Sequence, residues 1–236
     1  MSLIRLLVPY LPNIGERAPL EEAQYHHLIR VRRKEAGDKV IIQTPEGKRA
    51  LAEVGFVDKT PFVVCLEKIK DVPGVLPIRL YPALLPDSTF TYLLQKATEI
   101  GVKEITPTIT EFTVAKVGDE GKKVLRWQRV CDEAACQCGG VPARVNLPLS
   151  FKEVLAKEAS GLRILADGSG IQLKDLSERP DSVALLIGPE GGHSLREMDE
   201  AISAGFIKVA FHPFIMRAET AAVVCSTMLQ QRFGEL

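Results

Sequence analysis

The chain has 236 residues, 46% of them hydrophobic and 25% charged, with 30 basic and 30 acidic side chains. That length holds one large domain or two smaller ones, and the composition excludes a disordered chain. Zero net charge argues weakly against a nucleic-acid binder taken as a whole, and no apolar run approaches the roughly 20 residues of a membrane span.

Residues 3–8 form a short apolar run that contains Arg5 and meets Pro9 and Pro12, so they read as a first strand rather than a signal peptide. Next, Arg30, Arg32, Arg33, Lys34 and Lys39 crowd one stretch beside His26 and His27. Such a cluster neutralises several phosphates even on a neutral protein; the alternative is a solvated face. Apolar runs at Lys39–Gln43, 49–54 and 62–66, separated by Gly, Pro, Asp and Thr, suggest a small β-barrel. The chain divides near Asp71-Val-Pro-Gly-Val-Leu-Pro77, which sets domains at 1–72 and 73–236.

Beyond the divide, strands alternate with helices. Strands are expected at 78–83, 104–108, 162–166 and Val183–Ile187. A helix at 90–100 is one that Gly101 can cap, and a long helix at Glu120–Cys138 has Val124, Trp127, Cys131 and Ala134 on one face. This alternation predicts an α/β fold with a mainly parallel sheet. The five cysteines are odd in number, and Cys136-Gln-Cys138 is one residue short of C-x-x-C, which speaks against a disulfide framework or a metal site. A reducing cytosol is the simplest home.

The most informative segment is Val183-Ala-Leu-Leu-Ile-Gly-Pro-Glu-Gly-Gly-His-Ser-Leu-Arg-Glu197. A buried strand stops at Gly188, a glycine-rich turn carries Glu190, and Ser194 stands three residues before Glu197, the spacing of a capping box. Backbone amides in such a loop approach a ligand closely, and open α/β sheets bind ligands at the carboxyl ends of their strands. The loop lacks the lysine and hydroxyl of a phosphate-binding P-loop and does not fit G-x-G-x-x-G, and Glu190 would repel a polyphosphate. A simple strand-to-helix turn is the alternative. A second strand–loop–helix unit follows. It has a strand at 206–211, an irregular loop carrying Arg217, Glu219 and Thr220, and a helix with Ala221, Val224, Cys225, Met228 and Leu229 on its apolar face. Capping and a surface ion pair would also account for Arg217, Glu219 and Thr220. His193, alone after a glycine turn, reads as solvated.

Together, Ile187-Gly-Pro-Glu-Gly-Gly192, Ile215-Met-Arg-Ala-Glu-Thr-Ala221, Leu94-Gln-Lys-Ala-Thr-Glu-Ile-Gly-Val102, Arg126-Trp-Gln-Arg129 and His26-His27-Leu28 occur in the order in which they resemble one family. It is the bacterial 16S ribosomal RNA uridine-N3 methyltransferases of the SPOUT superfamily. The resemblance implies a C-terminal trefoil knot, a PUA-like N-terminal barrel, a homodimer with the active site at its interface, and S-adenosyl-L-methionine as cofactor. It places Leu186, Gly188, Pro189, Gly191, Gly192, Phe211, Ile215, Met216 and Thr220 around that cofactor, with Asp167-Gly-Ser-Gly170 as a third loop after an earlier strand. It assigns RNA contacts to His27, Arg30, Arg32, Arg33, Lys34 and Lys96, and the small ribosomal subunit or its 16S RNA as partner, with no metal and no membrane.

The implied chemistry needs the uridine imide proton removed or the developing anion stabilised. Arg217 suits the electrostatic role because guanidinium keeps its charge. Glu219 suits orientation of Arg217 or of the base, and Glu190 is an alternative proton acceptor, ahead of His193. Departures from the family pattern stand at Gly139-Gly140-Val-Pro-Ala143, Ala166-Asp167-Gly168, His212, Phe214 and Ala218. They leave open a relative with another RNA target, or a non-catalytic RNA-binding assembly protein.

Overall fold

The computed structural model describes residues 3–115, 119–158, 161–177 and 179–234, with the backbone alone for Ala23, His27 and Val31. Contacts divide the chain into two units, 1–74 with 135–141, and 75–134 with 142–236.

In the first unit, β1 (Arg5–Leu7), β2 (Lys39–Gln43), β3 (Arg49–Val57) and β4 (Thr60–Ile69) form a sheet in the order β1-β2-β3-β4. β1 runs parallel to β2, and the remaining pairs are antiparallel. Alternation decides which face is covered: Val40, Ile42, Ala50, Ala52, Val54, Val63 and Cys65 point inward with Leu6 and Leu28. β3 and β4 are joined by Asp58 and Lys59, both with positive φ, the backbone of a two-residue hairpin that matches strand twist. Residues 15–18 extend the sheet beyond β4 through Gly15–Cys65 and Ala18–Val63 hydrogen bonds. Between β1 and β2 lie α1 (Glu22–His26) and a π-helical turn, His27–Val31.

The second unit holds a six-stranded sheet, parallel throughout. Its order is β12 (Ile207–Ala210), β10 (Leu162–Gln172), β11 (Val183–Ile187), β5 (Ile78–Pro82), β6 (Glu104–Ile105) and β8 (Arg144–Val145). β7 (Thr108–Ile109) and β9 (Leu149–Ser150) pair separately. The helices are α2 (Asp87–Glu99), α3 (Glu120–Cys138), α4 (Phe151–Lys157), α5 (Leu195–Ser203) and α6 (Ala218–Phe233). Every residue of β11 is buried, as a strand covered on both faces requires. Val183, Leu185 and Ile187 face a core that includes α2, α3 and α6, whereas Ala184 and Leu186 face α4 and α5.

Three expectations are corrected here, and one helix is added. The strand expected at 104–108 is two short strands in different sheets, because Pro107 between them has no N–H to give a ladder. Asp167–Gly170 is not a loop after a strand but a bulge inside β10: Ala166 and Ile171 both pair with Val209, and the four residues between are extruded. Gly170 is required there, since a Cβ would lie 2.3 Å from the carbonyl carbon of Lys208. On α6 the most buried stripe is Ala218, Ala222, Cys225, Leu229 and Phe233; Ala221, Val224 and Met228 are only half-buried. Ser226 and Gln230 are buried beside that stripe, and Gln230 clamps the backbone N–H and C=O of Leu76. Helix α4 was not anticipated, although Ser150 and Glu153 carry its capping box.

Candidate active site

Parallel strands bring their carboxyl ends to one edge, and the three expected cofactor segments lie there, one as a bulge and two as loops. The first is the β10 bulge. Asp167 accepts the Ser169 N–H at 2.8 Å, and Lys208 on β12 donates to the Ser169 hydroxyl at 3.1 Å. Burial pushes the Asp167 carboxyl up, but the Ser169 hydrogen bonds and the Lys208 charge outweigh it and hold it below the usual range.

The second loop, 188–193, leaves β11. Gly192 has φ +71°, and the Gly192 N–H donates to the Pro189 carbonyl at 2.8 Å. A Cβ on Gly188 would lie 3.0 Å from both the Gly192 carbonyl carbon and His193 Nδ1, so any side chain there would push on the turn. Gly191 is less constrained: its Cβ would meet only the Phe112 ring, at 3.5 Å. The reading of His193 as solvated is overturned. Its ring is 9% exposed and lies 5.3 Å from Phe151, and its Nε2 makes no hydrogen bond among the described residues. Burial lowers its pKa, with Glu197 and Asp167 opposing. The capping box is formed as expected, with Ser194 Oγ accepting from Glu197 N at 3.2 Å and Glu197 accepting from Ser194 N at 3.0 Å. Glu197 has a further partner that no local spacing signals, the backbone N–H of Glu111 at 2.8 Å.

The third loop joins β12 to α6. Phe211 is buried, and Met216 is half-buried against the same core as α2 and α6. Phe214 and Ile215 are 74% and 99% exposed. Arg217 is the N-cap residue of α6 but gives no side-chain capping bond. Glu219 is half-buried and Thr220 exposed in the first turn. Among the described residues Arg217, Glu219 and Glu190 make no side-chain hydrogen bond or ion pair, so the alternative of a structural Arg217–Glu219 pair is not realised.

Beside the second loop lies a cleft of about 440 Å³, which sequence reasoning missed. It is lined by Pro189 and Glu190, by Leu84–Asp87 after β5, by Phe112, Val114 and Ala115, and by Lys123 and Trp127 of α3. Asp87 is bonded to Arg126, whose hydrogen bond is the main reason its carboxyl stays below the usual range. Trp127 packs on Phe90, with ring centroids 4.6 Å apart. The periodicity of α3 marked Trp127 as core; that its edge also lines a cleft depends on residues 84–87 and 112–115, which are far away in sequence.

The expected RNA contacts fall in both units. Arg30, Arg32 and Arg33 are exposed, Arg33 with φ +48°, and Lys34 pairs with Asp38 at 3.5 Å. The His27 side chain lies outside the described residues. Lys96 is held by Glu99 of its own helix at 2.8 Å.

The architecture is therefore a parallel α/β unit with loops at its carboxyl edge, in one chain with a small β unit. Residues 73–230 match the RNA methyltransferase domain and residues 20–64 the RNA methyltransferase PUA domain. The chain is 28% identical to the ribosomal RNA small subunit methyltransferase E of Buchnera aphidicola subsp. Schizaphis graminum, over 98% of this chain and 97% of that protein. It is 31% identical to the protein of the same name from Synechocystis sp., with 93% of this chain and 75% of that protein covered. A putative methyltransferase of Legionella pneumophila, solved in complex with SAM, superposes over 100% of both chains with a TM-score of 0.93 at 27% identity. The chain belongs to the RNA methyltransferase family of these ribosomal RNA small subunit methyltransferases.

Proposed function

We propose that this protein is an S-adenosyl-L-methionine-dependent methyltransferase acting on N3 of a uridine in 16S ribosomal RNA. The observation that supports it most is the convergence of the 167–170 bulge, the 188–193 loop and the 211–217 loop at one edge of the sheet of a family member.

The residues present fit the cofactor. Gly170 has no room for a Cβ against Lys208 and Gly188 little against Gly192 and His193, so these segments offer backbone amides and carbonyls rather than side chains. Gly191, Gly192 and the apolar Met216 and Ile215 suit the adenosine and aliphatic parts of the cofactor. When bound, the cofactor supplies an electrophilic methyl group on a sulfonium. Everything else falls to the chain. The Arg217 guanidinium, without a side-chain partner among the described residues, offers a fixed positive charge for the anion that develops on the uracil carbonyls. In this reading Glu219, two residues on, orients the base or, once substrate is bound, that guanidinium, and Glu190 accepts the imide proton. The N-terminal unit positions RNA through Arg30, Arg32, Arg33 and Lys34, contributing affinity rather than chemistry.

In this reading the C-terminal segment is knotted, and a second copy of the chain covers the exposed Phe214 and Ile215 and completes the site. The ribosomal substrate places the work in the cytoplasm. Titration calorimetry with S-adenosylhomocysteine, followed by nucleotide mapping of 16S RNA treated with the protein, tests the reading. One site per chain and a single uridine blocked at its pairing edge are expected. A ribose or other base product would reassign the target, and no binding would remove the enzymatic reading.

A further inference from the structure

The cleft beside Glu190 borders the second loop, and its walls have a chemistry of their own. One wall is an aromatic face, Phe112, which is 45% exposed and bears on Gly191. Trp127, 1% exposed and packed on Phe90, lines it as well. Lys123, whose ammonium lies 6.0 Å from the Trp127 ring centroid, adds a cation. The Glu190 carboxylate, exposed and without a side-chain partner among the described residues, adds an acceptor. An aromatic face suits a flat base, and an acceptor and a cation in one cleft suit an imide edge, where an N–H stands between two carbonyl oxygens.

We propose that this cleft receives the extruded pyrimidine base of the substrate, with Phe112 as its stacking platform and Glu190 accepting a hydrogen bond from the imide N–H. The inference rests on the RNA methyltransferase reading above and names where that substrate enters. A volume of about 440 Å³ lies within the range of small-ligand sites. It admits a single nucleotide and not a duplex, so the base must leave its stack to enter. Uracil is favoured over cytosine because cytosine N3 is an acceptor and would face a carboxylate.

Trp127 is the only tryptophan in the chain, so intrinsic fluorescence reports on the cleft directly. Protein saturated with S-adenosylhomocysteine is titrated with a short oligouridylate and, separately, with oligocytidylate. A saturable change with oligouridylate is expected, weaker with oligocytidylate. Phe112→Ala should lower oligouridylate affinity about tenfold, the loss typical of one stacked base, with S-adenosylhomocysteine affinity unchanged by calorimetry. Glu190→Gln, whose amide can donate to cytosine N3, should narrow the preference for uridine. RNA binding with no fluorescence response and no effect of Phe112→Ala overturns the cleft, and the methyltransferase reading survives if 16S RNA is still methylated. Weakened S-adenosylhomocysteine binding by Phe112→Ala would assign the cleft to the cofactor and overturn the inference. A wild type that neither binds S-adenosylhomocysteine nor methylates RNA overturns both readings.

Discussion

After β11 the chain turns through 188–193 into a helix whose first turn is closed by reciprocal Ser194–Glu197 hydrogen bonds. After β12 it turns through 211–217 into a helix whose N-cap, Arg217, gives no side-chain bond. The first turn is self-contained: Gly188 closes on Gly192 and His193, and Glu197 adds the Glu111 amide. The second leaves Phe214 and Ile215 in solvent and a guanidinium without a side-chain partner among the described residues. Loops built to satisfy themselves hold a shape before anything binds. In the proposed reading, the unsatisfied charge and uncovered apolar surface of the second loop meet the substrate and a second copy of the chain. The two loops then divide the work: a preformed cradle from one, and reactive charge with an unfinished surface from the other.

The largest effect should come from the unfinished loop. Arg217→Ala should lower the methylation rate about a hundredfold or more, the scale of losing one preorganised electrostatic partner. Because the side chain is exposed and unpaired, stability should stay within about 0.5 kcal/mol. Normal turnover would remove Arg217 from the mechanism. Next, Gly188→Val should break the cradle, costing about 1–3 kcal/mol by overpacking and at least about tenfold in S-adenosylhomocysteine affinity. Gly191→Val should cost less, since a Cβ there meets only Phe112 at an ordinary distance. Equal losses at the two glycines would show that the loop is not self-locked.

Glu197→Ala removes the capping box and strands the Glu111 amide, so the urea midpoint should fall by the equivalent of about 2 kcal/mol. A smaller loss than that of an exposed cap would mean the Glu111 bond contributes nothing.

His193 sharpens the same contrast through pH. Its folded-state pKa lies below the ordinary imidazole value because the ring is buried, with the charges of Glu197 and Asp167 opposing. The unfolded chain thus takes up the proton first as pH falls. Stability from this group is complete above about pH 6.5 and declines below it, by at most about 1.4 kcal/mol per pH unit. His193→Phe should flatten that part of the stability profile between neutral pH and about pH 5. An unchanged slope would place the acid sensitivity elsewhere. Smallest of all, Ile215→Ser should leave monomer stability within about 0.5 kcal/mol. If a second copy covers this loop, the variant should weaken self-association in light scattering, and unchanged association would move the interface elsewhere.

Legibility followed the range of the interactions. β11 and α3 fall on the residues expected, and Gly101 and Gly205 end α2 and α5 with positive φ and the paired backbone bonds of a helix stop. Each is specified within about six residues by hydrogen bonds, a dihedral or an apolar run. The face of α6 was misjudged because apolar spacing alone cannot tell a half-covered helix from one set between a sheet and α2, where even Ser226 and Gln230 are buried. The β10 bulge was read as a loop because Asp-Gly-Ser-Gly is a turn signal wherever it occurs, and only pairing of Val209 with both Ala166 and Ile171 makes it an interruption within a strand.

By itself, then, the chain determined its alternation of strands and helices, the ends of most of them, the glycine turn after β11, and a pattern of motifs specific enough to name a family. These depend on neighbours along the backbone. Tertiary structure alone decided that His193 is buried, that Glu197 holds the Glu111 amide, and that Phe112, Trp127 and Glu190 share one cleft. Those facts depend on which distant segments the parallel sheet brings to its carboxyl edge, and no local spacing encodes that.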